Sequence, residues 1–350
     1  MNRSLVDRIA DAVLYEGYIL YPYRPSIKNR QRWTFGGLFP EAYCQAGNGE
    51  TASNQTECLV HGNATTTIEA VIRFLHLTQR NAGEIIPPLT EWQCGAEPSF
   101  RTVETLRIGD RLFQSWQEAE EREVPLSEIT IGALLAQPRY VSFTFPASRR
   151  LEPIRDAEGR IAGILVREQQ PIAGSFEARA LKAADGLFRL TLRVVNLTQL
   201  GESASIHRDF ALLRSLVSTH AILGVRHGEF VSLLDPPDCW RQAAASCRNV
   251  GVWPVLVGAE GDTDTMLSSP IILYDYPQVA PESPGDFFDG TEIDEMLTLR
   301  ILTLTDEEKR AMAAVDERVR DLLTQTEALA REQLLGLHGT IRTRGERAHG

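Results

Sequence analysis

The chain has 350 residues, of which 43% are hydrophobic and 24% are charged, and this balance is typical of a soluble globular protein with one large or two ordinary domains. Its formal net charge of -11 at pH 7 argues against broad nucleic-acid binding, for which cationic surface supplies most of the affinity. The same charge argues against docking on anionic lipid. We therefore expect neither a nucleic acid nor a membrane as a partner.

The first residues predict a short amphipathic helix rather than an export signal. Leu5, Ile9, Ala12 and Val13 fall on one helical face, and Ser4 is a suitable N-cap. Charged residues interrupt this stretch, so it lacks the continuous apolar run of a signal peptide. No stretch of the chain reaches the length of a membrane span. We predict a cytoplasmic protein.

Residues 15–43, which we term the aromatic–basic segment, are rich in Tyr, Trp, Arg and Lys, although the chain as a whole is acidic. Pro22 and Pro25 disfavour helical backbone in the residues before them, so we predict extended chain and turns from Tyr18 to Pro40. A polar loop is predicted over residues 45–56. The members of the segment that we consider candidates for partner binding are Tyr21, Tyr23, Arg24, Lys28, Arg30, Arg32 and Trp33.

The middle of the chain predicts an antiparallel, β-rich region. TTTIEAVIRFLHL (residues 65–77) alternates apolar and polar residues, as a half-buried strand does. Several short strands follow, and turn signals at DAEG (residues 156–159) and Asp185-Gly186 separate some of them. FEARALKAADGLFRLTLRVVNLT indicates a hairpin around the second of these turns. Closely spaced short strands are typical of a sandwich or a curled sheet.

After residue 200 the pattern indicates a mixture of helices and strands. HRDFALLRSLVSTH predicts a helix, and HAILGVRHGEFVSLLD predicts two strands joined at His227-Gly228. PPDCWRQAAASCR predicts a helix with proline at its start, whereas VWPVLVG and PIILYDY predict buried strands. Thr305 and Glu308 match a capping box, which opens a helix to about Leu337.

The predicted fold class is therefore α+β, with an N-terminal helix, an antiparallel, sandwich-like middle and a helical C-terminal region. We divide the chain into residues 1–62, residues 63–200 and residues 201–350. The last region combines helices and strands, ends in a long helix, and is expected to pack on the rest as one unit.

The sequence lacks the common catalytic and phosphate-binding motifs. It contains no G-x-S-x-G elbow, no H-E-x-x-H pair, and neither a Walker A nor a G-x-G-x-x-G loop. This pattern leans against an enzyme without deciding the question. The unusual residues are aromatic, charged and predicted to lie on loops, as residues of binding surfaces often do.

A metal site is the main alternative to partner binding. Cys44, Cys58, His61 and Cys94 could together hold zinc or iron, but only Cys58 and His61 form a closely spaced pair. A structural zinc site normally uses two such pairs. Free and mostly buried thiols are the more common outcome in a reducing compartment.

Residues 275–295, which we term the acidic segment, form the most acidic stretch of the chain. Its oxygen-rich composition suits Ca²⁺ or Mg²⁺, but the ligand spacing of an EF-hand is missing. Thr291 is alternatively a helix N-cap with acidic residues in the first turns. A third reading pairs the segment with the arginines of the aromatic–basic segment. The candidate partner-binding residues here are Tyr274, Asp275, Tyr276, Asp286, Phe287, Phe288, Asp289 and Glu292.

Two long stretches resemble a known family. YEGYILYPYRPSIKNRQRWTFGGLFPEAY and SPIILYDYPQVAPESPGDFFDGTEIDEMLTLRILTLTDEEK are similar to an uncharacterised bacterial family that is encoded beside [NiFe]-hydrogenase structural and maturation genes. SLLDPP and CRNVGVWPVLVG share the resemblance. It implies an accessory or maturation role and a hydrogenase subunit or maturation factor as partner, and it brings no catalytic residue. The leading hypothesis is a non-catalytic protein that acts by protein–protein binding, and the metal site or the acidic segment is the alternative.

Overall fold

The computed structural model describes residues 9–10, 35–92, 97–200 and 207–278. The chain divides into two compact units, one of residues 1–21 and 25–277 and the other of residues 22–24 and 278–350. Every strand and helix named below belongs to the first unit. The predicted C-terminal helix and most of the aromatic–basic and acidic segments lie outside the described residues.

Fifteen strands account for most of the described chain. They are β1 (Ser53–His61), β2 (Thr67–Leu89), β3 (Arg101–Val103), β4 (Thr105–Ile108), β5 (Arg111–Gln114), β6 (Trp116–Thr130), β7 (Arg139–Phe145), β8 (Ser148–Arg155), β9 (Ile161–Gln169), β10 (Ile172–Ala184), β11 (Leu187–Asn196), β12 (Val217–Arg226), β13 (Glu229–Val231), β14 (Trp253–Leu256) and β15 (Thr265–Ser269).

The helices of the described chain are short. Those with both ends described are α1 (Glu41–Cys44), α2 (Ile131–Ala136), α3 (Arg208–Leu212) and α4 (Arg241–Ala245), and a 3-10 helix (Asp238–Trp240) precedes α4. Ile9 and Ala10 are also helical and buried, in agreement with the predicted N-terminal helix. No helix in the described ranges is long and apolar enough to cross a membrane.

The strands form two large antiparallel sheets and one small hairpin. The first sheet has the order β13-β1-β11-β10-β7, and the second has the order β14-β15-β12-β2-β9-β8. Strands β12 and β9 pair with the same edge of the long strand β2, at different residues. Strands β6 and β3 pair with its other edge, because β6 contacts residues of β2 that β12 also contacts, and β3 contacts residues that β9 also contacts. Strands β4 and β5 form the hairpin.

One hydrophobic cluster, which we term the main cluster, joins the two large sheets. The first sheet contributes Val60, Phe176 and Leu190, and the second contributes Phe74 and Leu223. Alternate residues of a strand point to opposite faces, so each sheet turns one apolar face toward the other. The predicted antiparallel, β-rich architecture is confirmed for the described chain.

Several predicted elements are confirmed. Strands β10 and β11 form the expected hairpin, and Gly186 at its turn has a φ of +65°, which glycine adopts without steric cost. A turn also joins β8 and β9 over the predicted DAEG residues. The strand predicted at residues 65–77 is present but runs on to Leu89 as β2.

Other predicted elements are wrong. The helix predicted at residues 207–220 is confined to α3, and β12 begins at Val217 because this stretch pairs with β2. The polar loop predicted to reach residue 56 ends earlier, since β1 begins at Ser53. PIILYDY is not a strand. By contrast, the two strands predicted on either side of His227-Gly228 are confirmed as β12 and β13, which enter different sheets beyond a turn in which His227 has a φ of +57°.

Strand pairing crosses both predicted region boundaries. Strand β1 pairs with β11 across residue 62, and β12 pairs with β2 across residue 200. Neither strand pair can form unless regions that are distant in sequence fold together. The described strands on both sides of the two boundaries therefore build common sheets.

Candidate partner-binding site

The segment after β15, residues 270–276, is fixed to the body at its start. Pro270 packs against Gly36, whose φ is +56°, and a Cβ atom at Gly36 would lie 2.3 Å from the Pro270 Cβ. The hydroxyl of Ser269 donates to the Ile271 carbonyl over 2.6 Å and accepts from the Ile271 N–H over 3.2 Å. The close approach at Gly36 and this local turn fix the direction in which the chain leaves β15.

Asp275 anchors the other end of the segment to two strands. Its carboxylate accepts from the Ser232 hydroxyl, 2.5 Å away just after β13, and from the Leu256 N–H, 2.8 Å away in β14. The N–H of Tyr276 donates to the Leu256 carbonyl over 2.7 Å. The segment thus satisfies backbone groups at the outer edge of β14, which is the role of an edge-covering loop.

Tyr276 and Tyr274 have opposite environments. Tyr276 has a φ of +56°, packs against the main cluster, and has a raised pKa because burial disfavours the phenolate. Tyr274 is 86% exposed and Ile272 is 71% exposed. The predicted partner-binding residues of this stretch therefore divide into two structural anchors, Asp275 and Tyr276, and one side chain presented to solvent, Tyr274.

Further apolar side chains are exposed on the elements that hold this segment. Trp253 in β14 is 42% exposed, and Leu234 is 56% exposed. The N–H of Leu234 donates to the same Ser232 hydroxyl that donates to Asp275. We term Ile272, Tyr274, Trp253 and Leu234 the apolar rim. Of these four residues, the sequence indicates only Tyr274, because the apolar run PIILYDY predicts a buried strand.

The structure does not bring the predicted cysteine and histidine ligands together. Cys44 packs beside a cluster on the outer face of the second sheet, Cys58 lies between the sheets, and His61 lies on the outer face of the first sheet. Cys58 and His61 are three residues apart in β1, so they point to opposite faces. Cys94 lies outside the described residues, within which no group of three or more His, Cys, Asp or Glu residues could hold a metal ion.

The local contacts of these residues are those of structural side chains. Burial raises the pKa of the Cys58 thiol, which disfavours the thiolate that binds metals. The His61 ring lies 4.9 Å from the Trp240 ring, centroid to centroid, and its Nδ1 is 2.9 Å from the Glu229 carboxylate. The Cys44 thiol is 3.8 Å from the Phe39 carbonyl oxygen.

A charged network that the sequence did not reveal crosses the second sheet. The network lies on the side of β2 that faces the main cluster earlier in the strand, and on the residues of β6 and β9 that pair with this later part of β2. We term it the polar belt. Its members are His76, Thr78, Arg80, Glu118, Glu120, Arg122, Arg167 and Gln169.

Direct contacts satisfy the charges of the polar belt. The Glu118 carboxylate accepts from Arg80 over 2.9 Å and from Arg167 over 2.7 Å. The Glu120 carboxylate accepts from Arg122 over 3.0 Å and from Gln169 over 2.9 Å. Because opposite charges are paired in this way, we interpret the belt as a set of structural contacts that hold β2, β6 and β9 together, and not as a site for a charged ligand.

Comparison with known proteins assigns no family. No protein-family model matches the sequence, and no curated protein matches it significantly. The resemblance to hydrogenase-associated proteins therefore stays a prediction from the quoted stretches. The apolar rim supplies the strongest functional indication in the described chain.

Proposed function

We propose that this chain is a non-catalytic accessory protein that binds another protein through the apolar rim, with Ile272 and Tyr274 as anchors. The observation that carries the proposal is the exposure of these two side chains, 71% and 86%, on a segment held at both ends. Aromatic anchors supply much of the binding energy of protein interfaces. A backbone that is already fixed loses little conformational freedom on binding.

The resemblance supports a metalloenzyme as the partner, namely a subunit or maturation factor of a [NiFe] hydrogenase. The candidate residues of the aromatic–basic segment and those from Asp286 to Glu292 lie outside the described residues, and they belong to the same proposal by their residue types alone. Their aromatic and arginine residues are the types enriched in protein interfaces. The proposal requires neither a metal nor a reaction in the chain itself.

The test is co-purification from the native host with metal content measured on the same sample. We expect the tagged chain to capture a hydrogenase subunit or maturation factor that mass spectrometry identifies. The double variant Ile272→Ala, Tyr274→Ala should reduce capture about tenfold or more, as expected when interface anchors are truncated. Its thermal stability should stay near that of the wild type, because both side chains are exposed.

Ile86→Ala is the matched control for this experiment. Ile86 is also an exposed isoleucine, at 69%, but it lies near the far end of β2, away from the part of that strand that pairs with β12. This variant should capture the partner like the wild type. If cells that make active hydrogenase yield no hydrogenase component, or if the double variant captures as well as the wild type, the proposal fails. Stoichiometric zinc or iron that is lost in Cys58→Ser would favour the metal alternative.

A further inference from the structure

Strand β7 is an open edge of the first sheet. Among the described strands it pairs only with β10. In an antiparallel pair, every second residue directs its N–H and C=O groups away from the partner, so the far side of β7 presents backbone groups that no described strand pairs. Outside the pairing with β10, residues 139–145 make no backbone hydrogen bond within the described chain.

The other edges of the described sheets are protected in ways that β7 is not. Strand β6 contains Pro125, and β8 contains Pro153, which cannot donate a ladder hydrogen bond. At the β14 edge, Leu256 bonds to Asp275 and Tyr276. Strands β13 and β3 have only three residues each. These are the usual devices that prevent sheets from joining edge to edge.

The composition of β7 favours pairing instead. Its seven residues, RYVSFTF, contain no proline and no acidic residue, and five of them are aromatic or β-branched, the types enriched in strands. Pro138 and Pro146 flank the strand and confine any pairing to these seven positions. Val141 and Phe145 are only partly buried against the main cluster, so the described part of the chain covers the core incompletely at this edge.

We propose that β7 pairs in antiparallel fashion with β7 of a second copy of this chain, about a two-fold axis at Ser142. Such a pairing is self-complementary, as a two-fold interface must be. On the core side it sets Val141 opposite Phe143, and on the outer side it sets Tyr140 opposite Thr144. Aromatic residues opposite β-branched ones are favourable cross-strand pairs. The first sheets of the two copies would then form one continuous sheet.

The charges of β7 are compatible with self-pairing. Arg139 is the only charged residue of the strand, and the two-fold axis sets it opposite Phe145, where a guanidinium has a favourable aromatic neighbour. The two Arg139 side chains lie six strand positions apart, or about 20 Å. Their repulsion is screened over that distance, because the Debye length is about 8 Å at physiological salt.

The test is sedimentation of the full chain over a range of concentrations. We expect the wild type to be in a monomer–dimer equilibrium. Ser142→Lys sets two lysines opposite each other at the axis and should raise the dimer Kd about tenfold or more. Ser175→Lys is the matched control, since Ser175 is the β10 residue directly opposite Ser142. It adds the same charge to the same face one strand inward and should leave the Kd near the wild-type value.

A charge swap separates a specific interface from damage to the fold. Ser142→Glu alone should also weaken the dimer, whereas an equal mixture of the Lys and Glu variants should form a mixed dimer at least as tight as the wild type. A wild type that stays monomeric overturns the proposal, even if β7 binds a different protein. A dimer that both variants leave intact also overturns it. Either outcome leaves the proposal for the apolar rim untouched, because none of the four rim residues lies on β7 or on its neighbour β10.

Discussion

The two halves of β2 carry different kinds of side chain on the same face of the strand. From Ile68 to Phe74 this face is fully buried in the main cluster between the sheets. From His76 to Arg80 the same face carries the polar belt. At Ala82 it becomes apolar again, in a smaller cluster that also contains Leu165 and Leu106.

This difference shows what each half of the strand needs from its neighbours. An apolar residue needs matching volume, which many combinations of side chains supply. A buried charged residue needs a partner of opposite charge with suitable hydrogen bonds, and it is costly without one. We infer that the main cluster supplies most of the stability, while the polar belt fixes how β6 and β9 are placed against β2.

The largest effect is expected from a cavity in the main cluster. Phe74→Ala should lower the free energy of unfolding by about 3–5 kcal/mol, because a fully buried phenylalanine is lost and the neighbouring Phe143 and Phe145 rings lose contacts. Urea denaturation measures the loss. Phe113→Ala removes a half-buried ring from the smaller cluster and should cost about 1–2 kcal/mol. Equal losses in both variants would contradict the assigned importance of the main cluster.

The next effect concerns the pH dependence of stability. His76 is fully buried, its Nε2 donates to the Gln170 carbonyl over 2.8 Å, and its Nδ1 has no hydrogen-bond partner in the described chain. Burial, with Arg122 nearby, lowers its pKa to about 4, compared with about 6.5 in an unfolded chain. The folded protein thus keeps the ring neutral while the unfolded chain binds a proton, so stability falls as the pH is lowered from about 6.5 to about 4.

The expected loss over this range is about 3 kcal/mol for His76, and unfolding measured at several pH values tests it. His76→Gln should be less stable at pH 7 but should lose less further stability at pH 4.5 than the wild type. His220, whose pKa is also lowered to about 4 by burial, remains in the variant and supplies the remaining slope. His207→Gln, at an exposed position, is the control and should keep the wild-type slope. An unchanged slope in His76→Gln would contradict the prediction.

The sequence predicts that the apolar half of β2 is a strand, but it does not predict that the strand continues through the polar half. In the first half, apolar residues alternate with others, and this period of two indicates a strand. In the second half, polar residues stand on both faces, so the period is hidden. Strand β6 was not predicted for the same reason, because QEAEEREV has no apolar alternation. Its acidic residues face the arginines of β2 and β9, and these partners are distant in sequence.

The candidate site was only partly predictable for a related reason. Ser232 and Asp275 are 43 residues apart, and nothing local in PIILYDY indicates that Asp275 will cover the β14 edge and leave Tyr274 exposed. The separation of Cys58 from His61 was predictable in principle. Three positions along a strand reverse the face, but the polar composition of residues 45–56 predicts a loop and so hides the start of β1.

The smallest effect tests the polar belt directly and separates it from surface charge. Glu118→Gln keeps the shape of the side chain but removes the charge that faces the buried Arg80, so we expect a loss of about 1–3 kcal/mol in unfolding free energy. Glu152→Gln is the matched control. It removes a different carboxylate from Arg167, one that is 59% exposed, and exposed ion pairs contribute about 0–1 kcal/mol.

The two variants differ mainly in the environment of the carboxylate, since both carboxylates bond to Arg167. A larger loss in Glu118→Gln would show that the belt depends on the buried partner Arg80. Equal and small losses would mean that Arg80 reaches water or its second acceptor, the Gln114 carbonyl oxygen 3.2 Å away. In that case the side chains of the polar belt would be accessible to water. The two halves of β2 would then differ only in how much apolar surface they bury.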